Sequence, residues 1–191
     1  MSWLDSLSER VADGGDSIAR RYFISNGFDG TLTSIGVAVG SYLSGIPSGL
    51  VIVKIGLGAA VGLGTSGLWS VWEIERAETR IERQRVERAM LTDLGETKLA
   101  RRQKRKRRFH ALMSGLGPVL GVLIPISAYL LEGTLLTIFE ATLLAIALGV
   151  ALLFVFGAYL GSLSKQDWYV AGARMGLAGL VVAAINVLLP G

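Results

Sequence analysis

Five long stretches of the chain are dominated by apolar residues, and each is long enough to cross a membrane as a helix. About 20 helical residues, rising about 1.5 Å each, span the ~30 Å hydrocarbon core of a bilayer. The stretches are residues 22–45, 49–72, 109–131, 134–161 and 169–189. The pattern therefore predicts an all-α membrane protein with five transmembrane helices.

One long polar segment, residues 73–108, separates the second and third stretches. No helix breaker follows the second stretch before Gly95, so the second helix is predicted to continue as a cytoplasmic extension. The segment carries 13 Lys and Arg residues against seven Asp and Glu residues. The chain thus divides into residues 1–21, transmembrane helices one and two (22–72), the charged helical segment 73–108, and transmembrane helices three to five (109–191).

Residues 1–21 are predicted to contain a short amphipathic helix on the membrane surface. Four large apolar residues recur at helical spacing until the segment DGGD interrupts the pattern. They are Trp3, Leu4, Leu7 and Val11. The helix serves either as a gate at the cytoplasmic mouth or as a plain anchor. Its acidic residues argue against a cleavable signal peptide.

The distribution of basic residues predicts which end of each helix lies in the cytoplasm, because cytoplasmic loops are enriched in Lys and Arg. With the N-terminus, residues 73–108 and the loop containing Lys165 in the cytoplasm, every Lys and Arg except Lys54 is accounted for. The protein is therefore predicted to be an integral, multi-pass membrane protein with a cytoplasmic N-terminus and its C-terminus outside.

Composition supports a membrane protein and excludes several kinds of site. Hydrophobic residues make up 51% of the chain, charged residues 18%, and the mean hydropathy is +0.52, which is too apolar for an ordinary soluble domain. The absence of cysteine excludes disulfides and thiolate metal sites, and the single histidine, His110, excludes a multi-histidine site within one chain. No nucleophile and base pair or cofactor loop is recognisable, so we do not expect an enzyme.

An acidic residue, Asp29, lies inside the first predicted transmembrane helix, in the segment NGFDGTLTS that begins at Asn26 and includes Thr33. Ionisable residues at such positions are costly and usually line a pathway or find a partner. A carboxylate among small hydroxyl side chains suits a hard cation. The alternative is that Asp29 caps backbone where Gly27 and Gly30 loosen the helix.

Three further polar residues lie near the outer ends of predicted helices, at comparable depth. They are Lys54, Glu140 and Asn186. Either Lys54 and Glu140 form an ion pair that neutralises both charges, or Glu140 and its neighbours line the exit of a proton or ion.

Three glutamates, Glu75, Glu78 and Glu82, fall on one face of the predicted cytoplasmic extension. Like charges three and four residues apart repel one another, and a bound divalent cation reverses that cost. The alternative is an ordinary charged helix, in which Arg85 compensates Glu82.

The basic run at residues 98–108 adjoins the third predicted transmembrane helix, so we expect it to enforce topology and to attract anionic lipid head groups. It lacks the interleaved aromatic residues that stack on bases, and nucleic acid is therefore not an expected partner.

Every predicted transmembrane helix contains two glycines four residues apart, which allow helix backbones to approach closely in lipid. The pairs are Gly36 and Gly40, Gly58 and Gly62, Gly117 and Gly121, Gly157 and Gly161, and Gly172 and Gly176. An odd number of spans excludes two equal inverted halves within one chain, so a homodimer with the pathway at its interface is expected.

These motifs together resemble the vacuolar iron transporter family, whose members are five-span, dimeric exporters of ferrous iron and manganese. Asp29 and Gly30 resemble the Asp-Gly motif of the helix that lines the ion path. The run GAAVGLG followed by Glu73 and Glu75 is similar to the family's second helix and its glutamate-rich extension. The segment LIPISAYLL and the tail from FGAYLG onwards are similar to the last three helices. The resemblance implies Fe²⁺ or Mn²⁺ as the transported ion.

Three positions depart from the family pattern: Tyr22 stands where an acidic residue is usual, and Lys54 and Gly62 align approximately with a usual Glu and Met. The sequence is therefore consistent with two functions. The first is export of a divalent metal cation from the cytoplasm, coupled to protons. The second is a membrane scaffold or lipid-binding protein that keeps the fold without its metal ligands.

Overall fold

The structure is a computed structural model, which describes residues 15–90 and 98–188. The described residues form five α-helices: α1 (Gly15–Leu43), α2 (Gly49–Met90), α3 (Lys98–Ile126), α4 (Ile138–Leu163) and α5 (Trp168–Leu188). A short 3₁₀ helix, Ser127–Leu131, follows α3 directly. The all-α fold is confirmed. The amphipathic pattern predicted from Trp3 to Val11 lies outside the described residues.

Four of these helices are long and apolar enough to cross a membrane, by length and composition. They are Gly49–Ala89, Gln103–Leu131 with its 3₁₀ end, Ile138–Leu163 and Trp168–Leu188. Helix α1 does not have so apolar a stretch, because Asn26, Asp29 and several hydroxyl side chains lie within it. Four of the predicted spans are thus supported, and the crossing by α1 stays a prediction.

The low apolar content of α1 has a structural explanation, because α1 lies at the centre of the bundle and contacts all four other helices. Its residues Ile35 and Ala38 are fully buried, and so are the polar residues Thr31 and Ser34. Neighbouring helices, rather than lipid, therefore cover most of this helix, and they supply partners for its polar groups.

Hydrogen bonds between helices fix their relative directions. From α1 to α3 the bonded pairs advance together along both helices, from Asn26 with Ser114 to Ala38 with Tyr129, so these two helices are parallel. Helix α2 is antiparallel to α3, because Gly67 is bonded to Ser114 whereas Gly49 is bonded to Glu132 further along the chain.

Close glycine contacts show that α4 is antiparallel to both α1 and α5. A Cβ on Gly149 would lie 2.8 Å from Ile35, whereas one on Gly27 would lie 3.0 Å from Phe156. The start of α1, the end of α2 and the start of α3 therefore share one end of the bundle. We call it the basic end, and the opposite end the far end.

Two glycines of α3 allow its close packing on α1. A Cβ on Gly121 would lie 2.5 Å from the Gly27 carbonyl oxygen, and one on Gly117 would clash with the Phe23 backbone. Gly58 and Gly62 on α2, by contrast, face nothing within 4 Å. The predicted glycine pair on α3 therefore packs against another helix of the same chain, whereas the predicted pair on α2 has no neighbour within 4 Å.

The prolines of α3 also shape its contact with α1. Pro118 and Pro125 are buried inside a helix that runs through both positions to Ile126. A proline lacks the N–H that would bond the carbonyl four residues earlier, so the Ser114 and Gly121 carbonyls lose their helical partners. Asn26 Nδ2 donates to the Ser114 carbonyl at 3.2 Å, and Ser34 Oγ donates to the Gly121 carbonyl at 3.3 Å. Side chains of α1 thus satisfy both carbonyls.

Replacement of Gly121 by Ala is expected to lower the free energy of unfolding by about 1–3 kcal/mol, because the added methyl group overpacks the α1–α3 contact. Gly40→Ala is the matched control, since a Cβ there meets nothing within 4 Å. Denaturation of the purified protein in detergent, followed by circular dichroism, measures both. Equal stability of the two variants would contradict the close packing of these helices.

Candidate functional site

The carboxylate of Asp29 is exposed on the surface of the central helix. It makes no hydrogen bond or ion pair with the described part of the chain, whereas its backbone carbonyl accepts a hydrogen bond from Thr33 Oγ1 at 2.8 Å. The backbone-capping role considered for this side chain is therefore not seen, and the carboxylate is accessible to water, an ion or a second protein.

Asp29 belongs to a row of polar and small residues along one face of α1. Successive members are three or four residues apart, so at 100° per residue they fall within a sector of about 80°. They are Asn26, Asp29, Thr33, Gly36 and Gly40, and all are half-buried or exposed. We call this row the α1 stripe. It leads from the basic end towards the far end along the central helix.

A hydrogen-bond network at the basic half of the bundle holds the first member of the α1 stripe. Asn26 Nδ2 lies 2.6 Å from Ser114 Oγ as well as 3.2 Å from the Ser114 carbonyl oxygen. Ser114 Oγ in turn donates to the Gly67 carbonyl at 2.8 Å. One amide and one hydroxyl therefore join α1, α2 and α3 at a single point.

Thr31 and Ser34 lie on the opposite, fully buried side of α1. Thr31 Oγ1 donates to the Gly27 carbonyl at 2.8 Å, and Ser34 Oγ donates to the Thr31 carbonyl at 2.7 Å. These hydroxyl groups are committed to backbone partners inside the bundle. The polar residues of the first helix thus separate into a buried, structural side and the accessible α1 stripe.

The cluster predicted from Lys54, Glu140 and Asn186 is not assembled within one chain. Glu140 caps its own helix: its Oε2 accepts hydrogen bonds from the Thr137 N–H at 2.8 Å and from the Thr137 hydroxyl at 2.9 Å. Lys54 is exposed and forms no ion pair with Glu140. Because its position in the first turn of α4 gives Glu140 a local partner, the ion pair is unnecessary.

Asn186, the third of these residues, faces the α1 stripe instead. A Cβ on Gly36 would lie 3.6 Å from Asn186 Nδ2, and this amide nitrogen donates to the Val182 carbonyl at 2.9 Å. Asn186 therefore contributes a polar group from α5 beside the middle of the stripe.

The glutamates predicted on one face of the α2 extension have different surroundings. Glu75 Oε1 lies 3.0 Å from His110 Nδ1, whereas Glu78 and Glu82 are exposed. Glu73, added by the family resemblance, lies 3.5 Å from Arg76. Within residues 15–90 and 98–188, no group of three or more acidic or histidine side chains is placed to hold a metal ion.

Sequence reasoning used His110 only to exclude a multi-histidine site and missed its contact with Glu75. The His110 ring is 3% exposed and lies at the basic end, with the Tyr22 ring 6.3 Å away. One turn nearer the start of α3, the Arg107 guanidinium lies 4.4 Å from the Trp72 ring, a cation–π contact. A lone histidine at a membrane boundary, opposite the glutamates of another helix, was the available signal.

The basic run at 98–108 is described at the side-chain level from Gln103 onwards. Lys104, Arg105 and Arg108 are exposed, whereas Lys106 and Arg107 are half-buried. Exposed ammonium and guanidinium groups beside a transmembrane helix are suited to phosphate head groups.

Comparison with known proteins gives two matches. The model of the VIT family matches residues 69–190, which include the second half of α2 and all of α3 to α5. An uncharacterized protein from Methanocaldococcus jannaschii is 28% identical over 168 residues, which cover 86% of this chain and 85% of that protein.

Replacement of His110 by Ala is expected to lower the free energy of unfolding by about 1–3 kcal/mol, because it leaves the half-buried Glu75 carboxylate without this partner. Glu78→Ala, one turn further along the same helix and exposed, should leave stability unchanged. Denaturant titration in detergent compares the two variants. An unchanged His110→Ala protein would show that the Glu75–His110 contact does not join α2 to α3.

Proposed function

The chain belongs to the VIT family, a family of membrane transporters, and we propose that it exports a divalent metal cation, Fe²⁺ or Mn²⁺, from the cytoplasm in exchange for protons. Family membership and the four apolar helices support a membrane transporter of this kind. The resemblance of Asp29 and Gly30 to the ion-path motif of the vacuolar iron transporters supports the choice of substrate.

The observation that carries this proposal is the α1 stripe. A helix at the centre of a membrane bundle presents a carboxylate, an amide and a hydroxyl on one accessible face, while its hydroxyl residues Thr31 and Ser34 are bonded inside the bundle. Exposed polar groups at membrane depth are costly unless they line a water-filled pathway or meet a partner. Carboxylate, amide and hydroxyl oxygens are also the ligands that hard divalent cations prefer.

In the proposed cycle, exposed glutamates of the α2 extension attract the cation at the basic end. These are Glu73, Glu78 and Glu82, with Glu75 available once it leaves His110. The cation then passes to Asp29, and protonation of Asp29 releases it towards Thr33, Asn186 and the far end. Glu140 and Lys54 flank the exit, with the basic end in the cytoplasm. The basic run 98–108 holds that end against anionic lipid.

We further propose that the active form is a homodimer. Gly58 and Gly62 form an open face on α2, with exposed Val61 and Thr65 beside them. Small residues that meet nothing in their own chain allow close approach of another helix in lipid. A second copy at this face would add a second wall to the pathway.

A membrane scaffold or lipid-binding protein is the second candidate function. Lys54, where the family usually has an acid, repels cations, and no three acidic or histidine side chains meet within the described ranges. In this case the fold persists without transport.

Asp29→Ala is expected to abolish Mn²⁺ flux into proteoliposomes, because it removes the only acidic side chain of the α1 stripe. Asp167→Ala is the matched control, because Asp167 is an exposed carboxylate in the loop before α5. A metal-sensitive dye inside the vesicles reports the flux. Wild-type flux in the Asp29→Ala protein, or absence of flux in the wild type, would favour the scaffold.

The absence of cysteine allows a direct test of the dimer. A Gly62→Cys protein is expected to form covalent dimers with a short bifunctional maleimide in membranes, whereas Leu177→Cys, exposed on α5, should stay monomeric. Gel electrophoresis separates the two species. Equal cross-linking of both variants would exclude a specific interface at this face.

A further inference from the structure

The amide of Asn26 does more than a structural role requires. At Gly121, the carbonyl released by Pro125 meets a single hydroxyl, that of Ser34, whose one hydrogen is shared between this carbonyl at 3.3 Å and the Thr31 carbonyl at 2.7 Å. At Ser114, the carbonyl released by Pro118 is satisfied by an amide, which brings a carbonyl oxygen of its own into the bundle. An extra acceptor at membrane depth is costly unless something binds to it.

The orientation of the amide follows from its partners. The Ser114 backbone oxygen only accepts, so the Asn26 atom that faces it is the nitrogen. Ser114 Oγ gives its single hydrogen to the Gly67 carbonyl and must therefore accept from Asn26. Both hydrogens of Nδ2 are thus used, and the amide cannot flip without losing both bonds. Its Oδ1 points away from Ser114 and receives no hydrogen bond from the described residues.

The position of Asn26 on α1 puts it one helical turn before Asp29, the carboxylate of the α1 stripe. Residues three apart on a helix have Cβ atoms about 5–6 Å from each other, and Asn26 precedes Asp29 by three. Thr33 follows by four, with its hydroxyl held by the Asp29 carbonyl at 2.8 Å. Successive turns of one face therefore offer an amide, a carboxylate and a hydroxyl oxygen, which together suit a hard divalent cation.

We propose that Asn26 Oδ1 and the Asp29 carboxylate together bind the transported divalent cation, and that Ser114 is a positioning residue that holds the amide in its binding orientation. The proposal rests on the proposed transport function and adds a second ligand and its support to it. Loss of such a support typically weakens metal binding by about 10-fold or more.

The test is Mn²⁺ titration of the purified protein in lipid nanodiscs by calorimetry. Ser114→Ala frees the amide to rotate and should weaken Mn²⁺ binding about 10-fold. Ser34→Ala is the matched control, because it also removes a buried serine hydroxyl and an α1–α3 contact, that with the Gly121 carbonyl, but does not touch Asn26, and it should bind Mn²⁺ like the wild type. Asn26→Ala should weaken binding at least as much as Ser114→Ala, and the double variant should bind no worse than Asn26→Ala alone.

The Asn26→Asp variant distinguishes a role of Asn26 as a metal ligand from a purely structural role. Aspartate cannot donate to the Ser114 carbonyl, so a structural role predicts a variant at least as impaired as Asn26→Ala, whereas a ligand role predicts that its oxygens restore Mn²⁺ binding. Equal affinities of the Ser114→Ala and Ser34→Ala proteins, or no rescue by aspartate, would overturn the inference. Asp29→Ala distinguishes failure of this inference from failure of the proposed transport function. If the Asp29→Ala protein still binds Mn²⁺ like the wild type, the proposed function fails as well.

Discussion

The arrangement of the bundle depends on two backbone carbonyls of α3 that its own prolines leave without partners. In a membrane no water is available to bond them, and each unsatisfied group costs several kcal/mol. Side chains of α1 reach both, from Asn26 to Ser114 and from Ser34 to Gly121. The glycines Gly117 and Gly121 bring the α1 backbone close enough for these short side chains to reach. Proline and glycine on one helix thus determine which helix lies against it.

This constraint also explains why the central helix, unlike the other four described helices, lacks a stretch apolar enough to meet the hydropathy of a membrane span. A helix that satisfies its neighbour's carbonyls must carry donors, and donors are tolerated only where protein covers them. Thr31 and Ser34 meet that condition because both are fully buried. In α4 the acidic residue Glu140 lies at the helix end, where it and Thr137 cap the first turn, and the one buried hydroxyl among its described residues, that of Thr142, meets the Tyr129 hydroxyl at 2.8 Å. Polarity in this fold is therefore concentrated at the centre and at the helix ends.

Much of the architecture could be predicted from the sequence, because apolar stretches and breakers are local signals. The predicted stretch 134–161 corresponds to Ile138–Leu163, and 169–189 to Trp168–Leu188. The second helix continues past residue 72 to Met90 as expected, since nothing interrupts its helical pattern. The first helix begins at Gly15 rather than at residue 22, because a hydropathy window does not detect the polar turns that precede Tyr22.

The side-chain partners could not be predicted in the same way, because they depend on how each helix is rotated about its axis. The Glu75–His110 contact joins residues 35 positions apart, and no periodicity within either helix identifies it. The Asn26–Ser114 hydrogen bond could be predicted in part from the sequence. A proline within a transmembrane helix identifies the orphaned carbonyl four residues earlier, and only the donor remained unknown. The ion pair considered for Glu140 and Lys54 is not formed, because Glu140 instead completes a capping box with Thr137, three residues earlier.

Two surfaces of a single copy are exposed at a cost in free energy, and the proposed dimer would cover both. The α1 stripe exposes Asp29, and a carboxylate facing lipid costs about 2.5–3.5 kcal/mol on insertion scales. The Gly58 and Gly62 face of α2 forfeits packing that its small residues allow. A water-filled pathway alone solvates the carboxylate but leaves the glycines exposed, and a partner on α2 alone leaves the carboxylate in lipid. A second copy that packed on α2 and enclosed water beside α1 would stabilise both surfaces together, so the proposed transport site on the central helix and the proposed dimer are physically linked.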